Sequence, residues 1–451
     1  MTSPAPCPHG KCTYCPGGLE KGTAQSYTGK EPASLRAEAH NYEPYEQVKA
    51  RLEQLRAIGH KTDKIDLIVM GGTFTARAQS YQEYFVKRCF DAMNGVYSNS
   101  LESAQRANEL SRARCIGLTI ETRPDWCKKE HIEKMLALGA TRVELGVQTI
   151  YDDVLDKIKR GHRVKDTIEA TKAAKDAGLK VCYHLMPGLP GVSIERDIEC
   201  FKQVFQNENF KPDMLKIYPT LVIKGTELYD KWQASEYEPL TTESAVELIA
   251  AVKSFVPSWV RIQRIQRDIP SYLIAVGVKS SNLRQLVHER LKQLGKECNC
   301  IRCKEAGYKM LKGLRADNRY ARIVRQYYDA SQGKEIFISY KDIKNDILIG
   351  YARLRAPEKE FKNNLNLGYV SIIRELKIVG ELVSLDSSVP LPQDAWQHRG
   401  LGKELVSECE RIASKEFGVS KILVNSGVGV RDYFRKLGYE LSDNYMMKSL
   451  R

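Results

Sequence analysis

Three cysteines crowd into the nine residues Cys7-Pro8-His9-Gly10-Lys11-Cys12-Thr13-Tyr14-Cys15. A thiol set this tight points to a metal centre, and two centres suit the spacing. Three ligands leave one coordination position open, so an iron–sulfur cluster with one free iron could bind and reduce a substrate there. Alternatively, a zinc knuckle would take His9 as its fourth ligand. A second trio, Cys298, Cys300 and Cys303, has CxCxxC spacing. No strand-and-glycine pattern follows it, which favours a structural zinc over a second cluster; its fourth ligand is not evident from the sequence.

The elements that must position the first trio follow it. From Lys64 to Val222, short apolar runs alternate with amphipathic stretches, the βα pattern of a parallel sheet. Strands are expected at Ile65–Met70, Cys115–Ile120, Arg142–Val147, Lys180–Met186 and Met214–Tyr218, with helices such as Glu43–Ile58, Lys128–Leu138, Lys165–Ala177 and Ile194–Phe205 between them. Directly after the strands come Gly71-Gly72-Thr73, Glu121, Gln148 and the Pro187–Gly191 turn. In a barrel these positions form the C-terminal rim, where ligands bind. Glycines there admit a ligand's polar end to the backbone, and Glu121 and Gln148 can hydrogen-bond a ribose or an amino group.

This order, after CxxxxCxxC, resembles a radical S-adenosylmethionine enzyme. The resemblance implies a 4Fe-4S cluster on Cys7, Cys12 and Cys15 whose open iron chelates S-adenosylmethionine and cleaves it to a 5′-deoxyadenosyl radical. In such barrels the cysteine loop follows a first strand, yet six residues precede Cys7. The first strand is therefore expected to be missing, through truncation or because the barrel is open and partial, and the loop to lack its usual support.

Composition bounds the rest. The 451 residues are 42% hydrophobic, enough for two or three domains with real cores. No apolar run approaches the roughly 20 residues of a membrane span and no apolar leader opens the chain, so a cytoplasmic protein is expected. Twelve cysteines, six of them in the two trios, suit metal binding in a reducing compartment better than disulfides. A net charge of +14 favours an anionic partner, nucleic acid first. The excess concentrates between Lys279 and Arg325, where Arg284, Arg290, Lys292, Lys296, Arg302 and further basic residues face only Glu289, Glu297, Glu305 and Asp317. A solvated helical face is the bland alternative. The nearby run Arg261-Ile262-Gln263-Arg264-Ile265-Gln266-Arg267 adds groups able to bond a phosphate or base.

From about Ala316 a smaller α/β pattern begins, with strands at Glu335–Tyr340, Ile347–Leu354, Tyr369–Val379 and Lys421–Val424, a helix at Gly402–Glu416 and a shorter one after Gly429. The loop Gln397-His398-Arg399-Gly400-Leu401-Gly402-Lys403 matches QxxGxG. Backbone N–H groups at a helix N-terminus can cradle a pyrophosphate. With Asp432 to Tyr439 downstream, this half resembles the GNAT acetyltransferase fold, whose loop binds coenzyme A. The fold class expected is α/β: a partial TIM-like radical S-adenosylmethionine barrel over 1–277, a basic zinc-binding linker over 278–315 and a GNAT domain over 316–451.

The motifs in order (CPHGKCTYCPGG, SYTGKEP, DKIDLIVMGGTF, IETRPD, RVELGVQT, HLMPGLPG, RIQRIQRDIP, CNCIRC, RELKIVGELV, QHRGLGK and YFRKLGY) resemble the catalytic subunit of Elongator over nearly the whole chain, including single-subunit archaeal and bacterial forms. That resemblance implies a tRNA wobble-uridine carboxymethyl synthase. The radical would take hydrogen from the methyl of acetyl-coenzyme A, the carbon radical would add to C5 of uridine 34, and thioester hydrolysis would leave the carboxymethyl group. It also implies that acetyl-coenzyme A meets Lys64, Glu375, Leu376, Lys377, Ile378, Arg399, Gly400, Leu401, Gly402, Lys403, Tyr433 and Phe434. Two positions depart from the family pattern: Lys377 stands where a His is usual, and Phe434 where a second Tyr is common. Tyr433 is therefore the expected polar catalytic residue. The family's basic extension before the cysteine loop is not seen here, so weaker tRNA binding is expected. The implied partner is a tRNA anticodon stem-loop, with a homodimer or accessory Elongator-type subunits left open. The rival readings are a protein lysine acetyltransferase with a structural cluster and a non-catalytic tRNA-binding module.

Overall fold

Aliphatic runs punctuated by glycine build the first of two large sheets. The computed structural model describes residues 1–358, 368–385 and 395–450. Six strands, β1 (Lys64–Val69), β2 (Arg114–Thr122), β3 (Arg142–Gln148), β4 (Lys180–Leu185), β5 (Met214–Ile217) and β7 (Arg261–Arg264), pair in parallel in the order β1-β2-β3-β4-β5-β7. The result is the curled parallel half-barrel of the radical S-adenosylmethionine fold. A ribbon of β6 (Val222–Ile223) and β8 (Ile274–Val276) stands apart from it. Several crossover helices stop at left-handed glycines, Gly139 and Gly178 among them, as helix-ending chemistry requires. The core combines strand residues such as Leu118, Val143 and Val181 with helix residues such as Phe90, Phe201 and Leu248.

No strand precedes β1 among the described residues. The backbone N–H of Thr2 instead bonds Met70 O at 2.8 Å, so the chain start lies against the end of the edge strand. The cysteine loop does not lack support. Cys12, Tyr14 and Cys15 are buried in a cluster with Val154, Leu155, Ile158 and Leu228, and Thr13 bonds Ile158 O and Leu228 N through its backbone. Helix packing replaces the support a first strand would give.

The second sheet contains β9 (Ala321–Asp329), β10 (Gly333–Asp342), β11 (Ile347–Pro357), β12 (Ser371–Ile378), β13 (Lys421–Val424), β14 (Glu440–Ser442) and β15 (Tyr445–Ser449), in the order β14-β15-β13-β12-β11-β10-β9. Its one parallel pair is β12 with β13, joined only through Ser371–Ile373 against Ile422–Val424. Beyond Ile373 the two strands part, leaving the β13 side of Leu376–Ile378 unpaired. The helix Leu401–Lys415 packs Leu405, Val406, Cys409 and Ile412 on this sheet.

This sheet docks on the N-terminal ends of the half-barrel strands. Asn425 donates to Ala140 O at 3.3 Å and Gly178 O at 3.2 Å, and Arg374 donates to Leu179 O at 2.9 Å. A Cβ on Gly427 would come within 2.2 Å of Ile116 O, so only glycine allows this approach. No helix among the described residues is long and apolar enough to cross a membrane.

Candidate active site

The cysteine loop closes over the C-terminal rim. Cys7 Sγ lies 3.7 Å from Thr73 Oγ1. Cys12 Sγ meets His9 Nε2 at 3.1 Å and Arg160 Nη1 at 3.7 Å. Cys15 Sγ accepts from Ser26 N at 3.2 Å and Gln25 Nε2 at 3.4 Å. These donors suit anionic thiolates, the form in which cysteine binds metal. Arg160, which no sequence motif marks, is held beneath the loop by its bond to Gly146 O and by Arg123, which donates to Arg160 O at 2.8 Å. Burial disfavours its charge, yet the Tyr14 hydroxyl and the Cys12 thiol hold its pKa above the usual value.

A single zinc holds its ligands closer than this loop does. Zn–S bonds of about 2.3 Å place tetrahedral thiolates about 3.8 Å apart. Among the described residues the ligand sets lying within 4.8 Å are Cys298–Cys300–Cys303 and Glu144–Cys182–His184, and the N-terminal trio is not one of them. The first set suits one ion. The wider trio suits a cluster, whose irons spread their ligands. Buried polar atoms without protein partners surround the loop, including Gln148 Oε1, His9 Nδ1 and both ring nitrogens of His162, and are open to a polar ligand. The donor set therefore fits the cluster and a bound S-adenosylmethionine.

The rim residues divide. Gln148 sits at φ 72, rare for a side chain of its size, with its Oε1 free. Glu121 is already engaged, accepting from Tyr27 Oη at 3.1 Å and Lys216 Nζ at 3.4 Å. A Cβ on Gly71 would lie 2.0 Å from Thr2 Oγ1, so this glycine admits the chain's own N-terminal segment, whereas one on Gly72 would meet only ordinary contacts, Cys7 Sγ at 4.0 Å among them. Below the rim, Lys216 also pairs with Glu144, which accepts from His184 at 2.9 Å. Burial opposes the Glu144 charge, but Lys216, then His184 and Arg142, hold its carboxyl well below the usual range.

The residues expected from the sequence to meet coenzyme A lie at the opposite end of the strands. Gly400 takes a left-handed conformation, φ 84, and caps the helix beginning at Leu401. Lys403 is exposed in its first turn, and Arg399 precedes the cap. Strand alternation divides the four β12 residues. Leu376 and Ile378 pack toward this helix, whereas Glu375 accepts from Arg353 at 2.8 Å and Tyr351 Oη at 3.0 Å, and Lys377 has Arg261, Glu375 and Asp66 as its charged neighbours. Glu375 and Lys377 thus turn their side chains to the half-barrel and offer this cleft only backbone. The Tyr433 hydroxyl faces Gly402, where a Cβ would come within 2.6 Å. Phe434 is buried in the core between Tyr433 and Tyr439. Lys64, at the start of β1, donates to Val383 O at 2.8 Å and Gln397 Oε1 at 2.9 Å, tying the half-barrel to the QxxGxG loop.

The second cysteine trio is buried, and it gains two neighbours that spacing did not reveal. His288 Nε2 lies 4.0 Å from Cys303 Sγ, and the buried Lys253 ammonium lies 3.6 Å from the same sulfur.

Comparison with known proteins agrees with both halves. The family described as Radical SAM superfamily matches residues 4–203, and the Radical_SAM C-terminal domain matches residues 212–293. The protein of Methanocaldococcus jannaschii called tRNA uridine(34) acetyltransferase is 54% identical over 454 residues, covering 100% of this chain and 83% of the relative. The Elongator complex protein 3 of Homo sapiens is 46% identical over 460 residues, with 100% and 83% covered. The solved archaeal Methanocaldococcus infernus Elp3 with N-terminus deletion (1-46) superposes with a TM-score of 0.87 at 52% identity, covering 92% of this chain and 97% of that one. Thiol loop, half-barrel and C-terminal sheet thus follow one pattern from end to end, and the chain belongs to the radical S-adenosylmethionine family of tRNA uridine(34) acetyltransferases and Elongator complex protein 3.

Proposed function

We propose that this chain is a tRNA uridine(34) modifying enzyme that joins the acetyl methyl carbon of acetyl-coenzyme A to C5 of the wobble uridine, thioester hydrolysis then leaving a carboxymethyl group. One observation carries the reading: one chain holds a thiol loop with buried donors at one end of the half-barrel and an open parallel-strand cleft with a glycine-capped helix at the other, so the acetyl group has to cross the roughly 20 Å between them to meet the radical. A 4Fe-4S cluster on Cys7, Cys12 and Cys15, when bound, supplies the electron for reductive cleavage of S-adenosylmethionine. Gln148 offers its free carbonyl to that cofactor, and Arg160 balances thiolate charge. The exposed β12 edge hydrogen-bonds the pantetheine amides, and the Gly400–Lys403 turn takes the pyrophosphate. A radical route suits C5 of an uncharged uracil, a poor acceptor for ordinary acyl transfer.

The test is anaerobic reconstitution with tRNA, acetyl-coenzyme A and S-adenosylmethionine, followed by mass spectrometry. Carboxymethylated uridine and 5′-deoxyadenosine are expected together. Absence of both sinks the reading, and acetyl-lysine without 5′-deoxyadenosine would favour the protein acetyltransferase alternative.

Tyr433 polarises the thioester for hydrolysis. Tyr433→Phe keeps the ring contact with Phe434 and should lower turnover by about 10²-fold with coenzyme affinity nearly unchanged. A proportional loss of affinity would instead make Tyr433 a binding residue. Zinc, held by Cys298, Cys300 and Cys303 with His288 as fourth ligand, pins the linker. One zinc per chain is expected by elemental analysis, falling to background in Cys300→Ser; zinc retained in that variant would refute the site.

A further inference from the structure

A cavity of about 770 Å³ opens at the C-terminal end of β7, and its lining includes Lys30, Arg264, Arg267, Lys279, Arg284 and Arg302. The acid among its lining residues, Asp268, is already paired with Arg264. Arg284 donates through Nη2 to Gln263 O at 3.1 Å, but its Nη1 is buried without a partner, and so is Nε of Arg302. Burial first, and the Arg302 charge next, hold Arg284 below its ordinary pKa. Two guanidinium groups lining one cavity, each with an unused buried donor, carry a cost that an oxyanion relieves. Leu221, Ile265, Ile269 and Pro270 give the same cavity an apolar wall. Arg267 ties the cavity to the site, because it donates to Ser26 O while Ser26 N donates to Cys15 Sγ.

We propose that Arg284 and Arg302 form one seat for a backbone phosphate of the RNA substrate, with an adjoining nucleoside against the apolar wall. The proposal rests on the tRNA reading above and names the surface that brings the RNA to the cysteine loop. A phosphodiester matches the two guanidinium forks, and RNA recognition commonly pairs such contacts with packing of an unstacked base. Coenzyme A also carries phosphates, but its glycine turn lies at the opposite end of the strands. Arg302 stands between Cys300 and Cys303, so the metal loop would place one of the two forks.

The experiment measures tRNA affinity of the full chain over a range of salt for the wild type, Arg284→Gln, Arg302→Gln and the double variant. Coenzyme A affinity and zinc content are followed in parallel. Each single change should weaken tRNA binding by about tenfold. Each should also make the slope of log K against log salt shallower by about 0.7, one single-strand phosphate, and the double variant should lose no more, because both arginines hold the same group. Coenzyme A affinity should not move. If Arg302→Gln loses zinc, Arg284→Gln, on a separate helix, carries the test. Unchanged slopes in a protein that binds tRNA overturn the seat alone, as does a doubled loss in the double variant. A wild type that binds no tRNA overturns the functional reading and the seat with it.

Discussion

Cys12→Ala is expected to bring bound iron and 5′-deoxyadenosine formation down to background while coenzyme A binding stays at the wild-type level. Cys12 lies at the centre of the loop, 6% exposed, with His9 and Arg160 directed at its sulfur. Two remaining thiols cannot hold a cluster that needs three protein ligands and one open position. Arg160 would then face an empty pocket with its balancing anion gone, so the loss is not confined to one bond. The glycine-capped turn at Gly400 is far from this change. The six residues of β1, at about 3.3 Å each, put about 20 Å between Lys64 at the proposed coenzyme end and the rim. Iron and sulfide content together with coenzyme titration read the two ends separately. Undiminished iron in Cys12→Ala would refute the cluster assignment. Parallel loss of coenzyme binding would show instead that the change disrupts the fold.

The half-barrel was legible because buried parallel strands leave continuous apolar runs, and the five anticipated strands differ from β1 to β5 by at most two residues at an end. β7 escaped notice because Arg261-Ile262-Gln263-Arg264 reads as basic surface, although Ile262 is buried. β9 escaped for a related reason: it is an edge strand with Arg322 and Arg325 exposed and no apolar alternation. For the candidate site, the cysteines, Gln148 and Tyr433 were proposed from residue type and order. Arg160 could not be, since a lone arginine after a helix has no signature until the fold brings it 148 positions back to Cys12. The split of Glu375 and Lys377 from Leu376 and Ile378 followed from strand alternation and was available in the sequence, but the motif match treated the four residues as one lining.

Nothing local in the sequence indicates how the two halves meet, and that contact carries the second large effect. Arg374 on β12 donates to Asp213 at 2.8 and 2.7 Å, to Glu335 at 2.7 Å and to Leu179 O at 2.9 Å, and all three charged groups are fully buried. Arg355 bridges Asp176 and Glu335 beside it, and Arg353 reaches Trp259 O and Glu375. Burial disfavours the charge on Asp213, yet Arg374, then Arg353 and Lys175, hold its carboxyl well below the usual range; Glu335 is lowered in the same way, chiefly by Arg374 and Lys175. Arg374→Met removes one cation and leaves two buried carboxylates short of charge, which should destabilise the chain by about 3–5 kcal/mol at neutral pH. The sign of the pH dependence follows. Depressed folded pKa values give the wild type stability that is present above the unfolded carboxylate pKa and lost only as pH falls toward the depressed values. In the variant both carboxyls move up, so the charge left short of a partner costs most near pH 7, whereas toward pH 4 the raised carboxyls take up protons in the folded state and that cost falls. The stability gap between variant and wild type should therefore be widest near pH 7 and narrow toward pH 4, as read by denaturant unfolding at both. A gap that is small at pH 7, or one that widens on acidification, would mean that the arginine fills space between the halves without holding them together by charge.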